Sequence, residues 1–255
     1  MELVVLGCHG GETPKHRTSS FLVDEHLAID AGAVTSMLSL EDQKKIRHVL
    51  VRHSHMDHVR DLATLADNRC QQAGPPIEIV GTPETIGTLQ RYFFNDKLWP
   101  DFSKILTPEG PTVRFRQVAA EESIEVGNYR VTPVLVNHTV ETAAFILRGP
   151  SGSLAYSGDT GPTDRLWQLL EGVEDLRALL MEVSFPNEQH CLAKISGHHT
   201  PETLDAELRK LHGHPHLPVL LYHIKPVFEQ EVEKQLGSIS RSELSVLRLG
   251  DRFLL

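Results

Sequence analysis

A chain of 255 residues, 40% of them hydrophobic and 23% charged, has the composition of a globular protein that buries a substantial core. Its net charge of −9, from 34 acidic and 25 basic residues, opposes binding to a phosphate backbone, so no extended nucleic-acid surface is expected. Its apolar runs are only strand-sized, which predicts no membrane partner, and its three widely spaced cysteines favour free thiols in the cytoplasm.

Short apolar runs bounded by glycine, proline and polar residues alternate along the chain with stretches of helical spacing. They predict strands at 2–6, 20–24, 27–30, 48–52 and 77–81, several strands within 112–136, and strands at 143–147, 153–157, 178–183 and 218–222. Helices are predicted at 33–47, 59–72, 83–94, 162–171 and 201–212. Because no linker, repeat or low-complexity segment interrupts them, these elements predict one α/β domain, 1–255, with two packed sheets.

Several predicted strands end at a histidine or an aspartate. A lone histidine is more often structural or solvated than a ligand, but repetition of the pattern indicates an active site at one edge of a sheet. The residues at these strand ends are His53, His138, Asp159 and His223.

The stretch HSHMDH places His53, His55, Asp57 and His58 within six positions. In extended backbone, His53 and His55 point the same way and can share one metal, whereas Asp57 and His58 lie past a turn. Imidazole and carboxylate suit zinc and similar transition metals. One tetrahedral ion cannot use all these ligands, so the pattern favours two ions bridged by Asp159, as in centres for phosphoryl displacement.

HSHMDH, followed in order by the later strand-end residues, resembles the HxHxDH signature and subsequent ligands of the metallo-β-lactamase superfamily. The resemblance implies an αββα sandwich of the α/β (α+β) class with two divalent metal ions, zinc first and manganese or iron as alternatives. It implies that one metal is held by His53, His55 and His138, the other by Asp57, His58 and His223, and that Asp159 and a hydroxide bridge them.

Further stretches resemble class II cyclic-nucleotide phosphodiesterases within that superfamily. Met56 stands where this family more often has leucine, and His199 where it has a small or apolar residue. The resemblance implies hydrolysis of a small-molecule substrate, 3′,5′-cyclic AMP or GMP, to the 5′-nucleotide by a metal-bridging hydroxide, in an enzyme that is commonly a homodimer. The resembling stretches are FNDKLWPDF (94–102), YSGDTG (156–161), MEVSF (181–185) and GHHT (197–200).

Phosphodiester hydrolysis also needs an acid, because the departing 3′-oxygen leaves poorly as an alkoxide. His198 is assigned this catalytic role, with Glu182 accepting a hydrogen bond from its other nitrogen; Asp57 is also counted among the catalytic residues. Asp61 is expected to hydrogen-bond a ligand histidine.

Structural interpretations stand beside these functional ones. Trp99 belongs equally well to a packed turn, and Glu182 to a satisfied surface carboxylate. His198 suits a helix N-terminus, with Thr200 capping the helix that starts at Pro201. The remaining histidines are expected in surface or loop positions, namely His9, His16, His190, His212, His214 and His216.

Other functions remain compatible with the motifs. A tRNA 3′-processing endonuclease shares the metal motif and GHxT, but its usual Gly/Pro-rich arm for gripping tRNA is not evident here. Another dinuclear-metal hydrolase of the superfamily is a further alternative. A regulatory or scaffold protein with a degenerate metal site is the third, although no ligand of the signature is missing.

Overall fold

Two seven-stranded sheets form the centre of the computed structural model, which describes residues 1–241 and 243–255. The strands are β1 (Glu2–Gly7), β2 (Ser20–Val23), β3 (Leu27–Ile29), β4 (His48–Leu50), β5 (Ile77–Gly81), β6 (Leu106–Thr107), β7 (Gly110–Pro111), β8 (Val113–Gln117), β9 (Ile124–Val126), β10 (Tyr129–Val136), β11 (Thr142–Gly149), β12 (Gly152–Tyr156), β13 (Leu176–Glu182), β14 (Val219–Tyr222), β15 (Leu244–Val246) and β16 (Arg252–Leu254). The first sheet has the order β16-β1-β2-β3-β4-β5-β8 and the second β15-β14-β13-β12-β11-β10-β9, while β6 and β7 form a separate ribbon.

Helices cover the outer faces of the sheets. Within the residues that the structure describes, none is long and apolar enough to cross a membrane. The α-helices are α1 (Val34–Met37), α2 (Leu40–Lys45), α3 (Met56–Val59), α4 (Leu62–Gln71), α5 (Pro83–Thr88), α6 (Arg165–Leu170), α7 (His190–Ser196), α8 (Pro201–Leu208) and α9 (Glu229–Leu236), with a π-helical turn at Leu89–Phe93 and 3₁₀ turns at Asn187–Gln189 and Pro226–Phe228.

The buried apolar side chains form three layers. The central layer lies between the sheets and includes Phe21 from β2 and Tyr156 from β12. A second layer packs the second sheet against α6, α8 and α9, and includes Trp167. A third packs the first sheet against α1, α4 and α5, and includes Leu65. The order helix, sheet, sheet, helix confirms the expected αββα sandwich.

Each sheet combines antiparallel and parallel pairing in the same way. In the first sheet, β16, β1, β2 and β3 pair antiparallel, whereas β3, β4, β5 and β8 pair parallel. In the second sheet, β9 to β12 pair antiparallel and β12 to β15 pair parallel. The parallel halves therefore bring the carboxyl ends of successive strands to one edge of each sheet.

The structure corrects the predicted helices in several places. The helix predicted at 33–47 is divided into α1 and α2, because the Ser39 side chain accepts a hydrogen bond from the Asp42 N–H and starts a new helix. The helix predicted at 59–72 is likewise divided into α3 and α4. Helices α7 and α9 and strands β15 and β16 were not predicted. Helix α9 buries only Val232 and Leu236 in an otherwise polar segment, so its apolar face is narrow.

Candidate metal centre

Three imidazoles meet beside the end of β4. His53 and His55 lie between β4 and α3, and His138 follows β10. The Nδ1 atom of His55 lies 3.0 Å from His53 Nε2 and 3.4 Å from His138 Nε2. These ring nitrogens face one another, and all of them lie within 4.8 Å of each other. Such a group of nitrogen donors is suited to a transition-metal ion.

A second group of ligand-type side chains adjoins the first. The Nε2 atom of His58 lies 3.1 Å from Asp159 Oδ2 and 3.3 Å from Asp57 Oδ2. His223 Nε2 lies 3.2 and 3.3 Å from the same two oxygens. Asp159 Oδ2 is also 3.9 Å from His53 Nε2, so this carboxylate lies between the two groups.

The two donor sets fit a pair of divalent cations. Ligand atoms at the usual zinc distance of about 2.0–2.1 Å in a tetrahedron are separated from one another by about 3.3–3.4 Å. Six of the separations within the groups are 3.0–3.4 Å, close to this value, and the others are within 4.8 Å. Two of the imidazoles also have Nδ1 next to a protein acceptor, which leaves Nε2 as the lone-pair atom. These pairs are His138 with Gly197 O (2.9 Å) and His223 with Ser184 Oγ (2.9 Å).

The charge distribution also suits cation binding. Burial raises the pKa of Asp159, but the neighbouring His223, His58 and Arg52 hold it well below its usual value, so the carboxylate is ionised. Burial lowers the pKa of His138 to about 4, which keeps this imidazole neutral. Burial also lowers the pKa of His58, yet the surrounding carboxylates raise it well above the ordinary value. A cation bound to Nε2 of His58 would therefore release a proton.

A buried ion pair behind the ligands was not anticipated from the sequence. Arg52 and Asp30 have no exposed surface, and Arg52 Nε donates to Asp30 Oδ2. Arg52 Nη1 donates to Asp159 Oδ1 (3.0 Å), so the ligand nitrogens face the other oxygen, Oδ2. The carboxylate of Asp30 also lies against His58, the position of the outer partner that commonly orients a metal-binding histidine. Asp30 directly follows β3, so the strand-end pattern could have found it.

His198 and Glu182 lie next to the second group. The Nδ1 atom of His198 is 3.1 Å from Glu182 Oε1, which is the contact expected from the sequence. Glu182 is completely buried, so its interpretation as a surface carboxylate is wrong. Ser184 Oγ donates to Glu182 Oε2 (2.9 Å) and lies 2.9 Å from His223 Nδ1, which joins this pair to a predicted ligand. Burial lowers the pKa of His198, but the Glu182 carboxylate outweighs this effect and the net shift is upward.

The neighbouring residues of the GHHT stretch have structural contacts. His199 Nδ1 lies 3.1 Å from Thr203 Oγ1, and its ring is fully buried. Thr200 caps α8 through a reciprocal pair of hydrogen bonds with Thr203, as expected. His198 precedes this cap, so it is not part of the helix N-terminus. Between the two histidines, His198 is the one that faces the predicted ligands, since its ring packs against those of His138 and His223.

Other expectations need correction or a structural explanation. Asp61 does not contact a ligand histidine in the described residues; its carboxylate accepts from the Thr35 and Ser36 N–H groups at the start of α1. The Trp99 indole donates to Ala63 O of α4 (3.0 Å) and packs against the outer layer of the first sheet, which is the packed-turn arrangement. His9 lies in a loop, as expected, but its side chain is buried.

Comparisons with known proteins agree with this fold. The family model "Beta-lactamase superfamily domain" matches residues 27–224. A Yersinia pestis protein named "Probable 3′,5′-cyclic-nucleotide phosphodiesterase" is 29% identical, with the match covering 90% of this chain and 79% of that protein. The crystal structure of unliganded yeast PDE1 superposes with a TM-score of 0.83 at 20% identity, covering 100% of this chain and 99% of that one. Human tRNase Z, short form, superposes with a TM-score of 0.72 at 16% identity, covering 100% and 99%. Because both solved structures share the fold, the fold alone does not distinguish between their activities.

Proposed function

The chain belongs to the β-lactamase superfamily, and we propose that it is a metal-dependent phosphodiesterase that hydrolyses 3′,5′-cyclic nucleotides to 5′-nucleotides. The observation that carries this proposal is the buried His198–Glu182 pair beside two adjoining sets of metal-type ligands. The similarity to the Yersinia pestis protein over 90% of this chain supports it. We also propose that 1–255 is one domain, because the layer between the sheets draws on residues from Leu3 to Leu247.

The seven predicted ligands would hold two divalent cations, zinc in the first instance. Bound there, these cations would neutralise the charge of the phosphodiester and lower the pKa of the attacking water. Asp159 belongs to the second group, and its Oδ2 lies 3.9 Å from His53 Nε2 of the first group, so it would serve both cations. One cation would be held by His53, His55 and His138, and the other by Asp57, His58 and His223.

His198 would supply the proton that the 3′-oxygen needs when it leaves. Its Nδ1 faces Glu182, so Nε2 is the nitrogen left to donate that proton. The buried carboxylate of Glu182 raises the pKa of His198 against the effect of burial, and the ring is therefore protonated to higher pH than a free histidine. His198 is only 7% exposed, and this limited access favours proton transfer to a bound substrate.

The acid and the second metal group share one hydrogen-bonded network. Ser184 Oγ donates to Glu182 and, as an acceptor, orients His223 with Nε2 toward the two aspartates. Glu182 Oε1 also accepts from the His199 backbone N–H, which holds the carboxylate in place. This network sets the position of His198 relative to the ligands before substrate binds.

An assay with alternative substrates tests the proposal. Full-length protein loaded with Zn²⁺ is incubated with cyclic AMP, cyclic GMP or a precursor tRNA, with and without a chelator. We expect 5′-AMP or 5′-GMP, and no product with chelator. The His198→Ala variant should lose about 10²–10⁴-fold in kcat, while His190→Ala, an exposed residue of α7, should keep wild-type activity.

Three results would overturn the proposal. Cleavage of the precursor tRNA without turnover of either cyclic nucleotide would indicate the endonuclease instead. Absence of any metal-dependent hydrolysis would favour a regulatory or scaffold protein. Formation of a 3′-nucleotide would contradict the 3′-oxygen as the leaving group.

A further inference from the structure

A third group of ligand-type side chains lies outside the proposed active site. His9 and His16 belong to the loop between β1 and β2, and Glu229 is the first residue of α9. His16 Nε2 lies 3.2 Å from Glu229 Oε2, and His9 Nε2 lies 3.8 Å from Glu229 Oε1. The two imidazole rings are 4.6 Å apart and nearly perpendicular. We call these three residues the loop cluster.

The Nδ1 atoms of the two histidines, which do not face Glu229, contact neighbouring residues of the same loop. His16 Nδ1 lies 2.5 Å from Thr13 Oγ1. His9 Nδ1 accepts a hydrogen bond from the Arg17 backbone N–H (3.3 Å) and also lies 3.3 Å from Arg17 O. When His16 Nδ1 donates to Thr13 Oγ1, the Nε2 lone pair of His16 faces the Glu229 carboxylate, and Nε2 of His9 faces the same carboxylate. Lone pairs facing a carboxylate repel it unless a proton or a cation lies between them.

A simple ion pair explains only part of this arrangement. A protonated His16 would pair with Glu229, but that leaves the buried His9 directed at the same carboxylate. Burial lowers the pKa of His9, and the neighbouring His16 lowers it further, so His9 is neutral and can act as a ligand. Arg248 Nη1 lies 3.3 Å from Glu229 Oε1 and 2.7 Å from Glu233 Oε1, which holds the glutamate toward the histidines.

We propose that His9, His16 and Glu229 bind a third divalent transition-metal ion, separate from the two-metal centre. Two imidazoles and one carboxylate are a donor set for zinc and related metals. All three donor atoms lie within 4.8 Å of one another. This proposal does not depend on which phosphodiester the protein hydrolyses.

The position of the loop cluster gives this ion a structural role. The His223 N–H donates to Cys8 O (2.7 Å), and the Gly10 N–H donates to Ile224 O (3.0 Å). A Cβ on Gly10 would approach His223 O to 2.5 Å, so the loop lies directly against the backbone of that predicted ligand. An ion in the loop cluster would join the loop, the start of α9 and the segment carrying His223.

Metal stoichiometry tests this proposal directly. Full-length protein is stripped with chelator, reconstituted with excess Zn²⁺, desalted and analysed by inductively coupled plasma mass spectrometry. We expect three zinc ions per chain in the wild type and two in His16→Ala and Glu229→Gln. His48→Ala is the matched control, because His48 also lies 3.2 Å from a glutamate, Glu78, but has no second histidine beside that pair among the described contacts. The His48→Ala variant should retain three zinc ions per chain.

Hydrogen exchange gives a second measurement on the same samples. Reconstitution with Zn²⁺ should slow amide exchange at residues 9–17 in the wild type and in His48→Ala, and not in His16→Ala. Two zinc ions in the wild type, or three in both loop-cluster variants, would overturn the proposal. Metal-dependent hydrolysis of cyclic nucleotides by a wild type that holds only two would leave the proposed function standing while the third site fails.

Discussion

Removal of the Arg52 guanidinium tests whether the buried ion pair behind the ligands supports the fold. Arg52→Met retains much of the side-chain volume but removes the donors to Asp30, Asp159 and the Tyr222 hydroxyl. It also removes a cation that lies 4.4 Å from the centre of the Tyr156 ring. Two carboxylates would then remain buried without their arginine.

The expected loss is large because neither carboxylate can reach water. Breaking a buried ion pair by removing one partner costs about 3–5 kcal/mol. His58 lies 3.0 Å from Asp30 and 3.1 Å from Asp159 and offsets part of the lost charge, so we expect the lower end of that range. A loss of about 3 kcal/mol is a substantial part of the roughly 5–15 kcal/mol that stabilises a typical domain.

Urea unfolding of the chelator-treated protein at pH 7 measures this loss. Arg52→Lys keeps the charge but not the forked geometry and should fall between wild type and Arg52→Met. In the double variant with Asp30→Asn, the combined loss should be smaller than the sum of the single losses by about 0.5–3 kcal/mol, because the two residues interact directly. A loss below about 1 kcal/mol in Arg52→Met, or strictly additive variants, would refute this reasoning.

Further predictions concern the acid, a ligand contact and the thiols. Glu182→Gln removes the carboxylate that raises the pKa of His198 against burial, so the alkaline limb of the kcat–pH profile, where the acid loses its proton, should move to lower pH. Ser184→Ala removes the partner of His223 Nδ1 and should weaken zinc binding about 10–100-fold in a chelator competition. Burial raises the pKa of Cys8 to about 12, so iodoacetamide at pH 8 should modify exposed Cys191 and spare Cys8 in the native protein.

Each of these three predictions can be contradicted by a specific experimental result. An alkaline limb that does not move would show that Glu182 does not set the pKa of the acid. Wild-type zinc affinity in Ser184→Ala, or an equal loss in the exposed control Ser238→Ala, would exclude a positioning role for Ser184. Mass spectra showing Cys8 modified as fast as Cys191 would contradict the burial of the Cys8 thiol.

The sequence predicts the ligand set well because the relevant signals are local. HSHMDH supplies four ligand-type residues at once, and the other three follow apolar strands that are easily recognised. The structure brings all seven together, whereas their role as ligands stays a prediction. Helix boundaries are less predictable, since the break between α1 and α2 depends on a single capping serine, Ser39.

The supporting contacts could not be predicted in the same way. The hydrogen bond from Arg52 to Asp159 joins residues 107 positions apart, and it depends on how the two sheets face each other. Ser184 lies within the MEVSF stretch, but its contact with His223 requires β13 and β14 to be neighbours. A pattern along the chain contains neither the sheet order nor the facing of the sheets.

Strand direction explains why three ligand groups lie at the same edge of the sandwich. In the first sheet, β1 is antiparallel to β2 and β2 to β3, so β1 runs in the same direction as β3 and β4. The residues just past these strands, His9, Asp30 and His53, therefore lie at one edge. In the second sheet the same argument places the ends of β10, β12, β13 and β14 together.

At Asp30 and His223 the backbone has φ of +57° and +72°, values rarely adopted outside glycine, so the chain turns sharply where these side chains enter the centre. Among the residues of the loop cluster, His9 continues the strand-end pattern at β1, and backbone hydrogen bonds from His223 to Cys8 and from Gly10 to Ile224 bring its loop against His223.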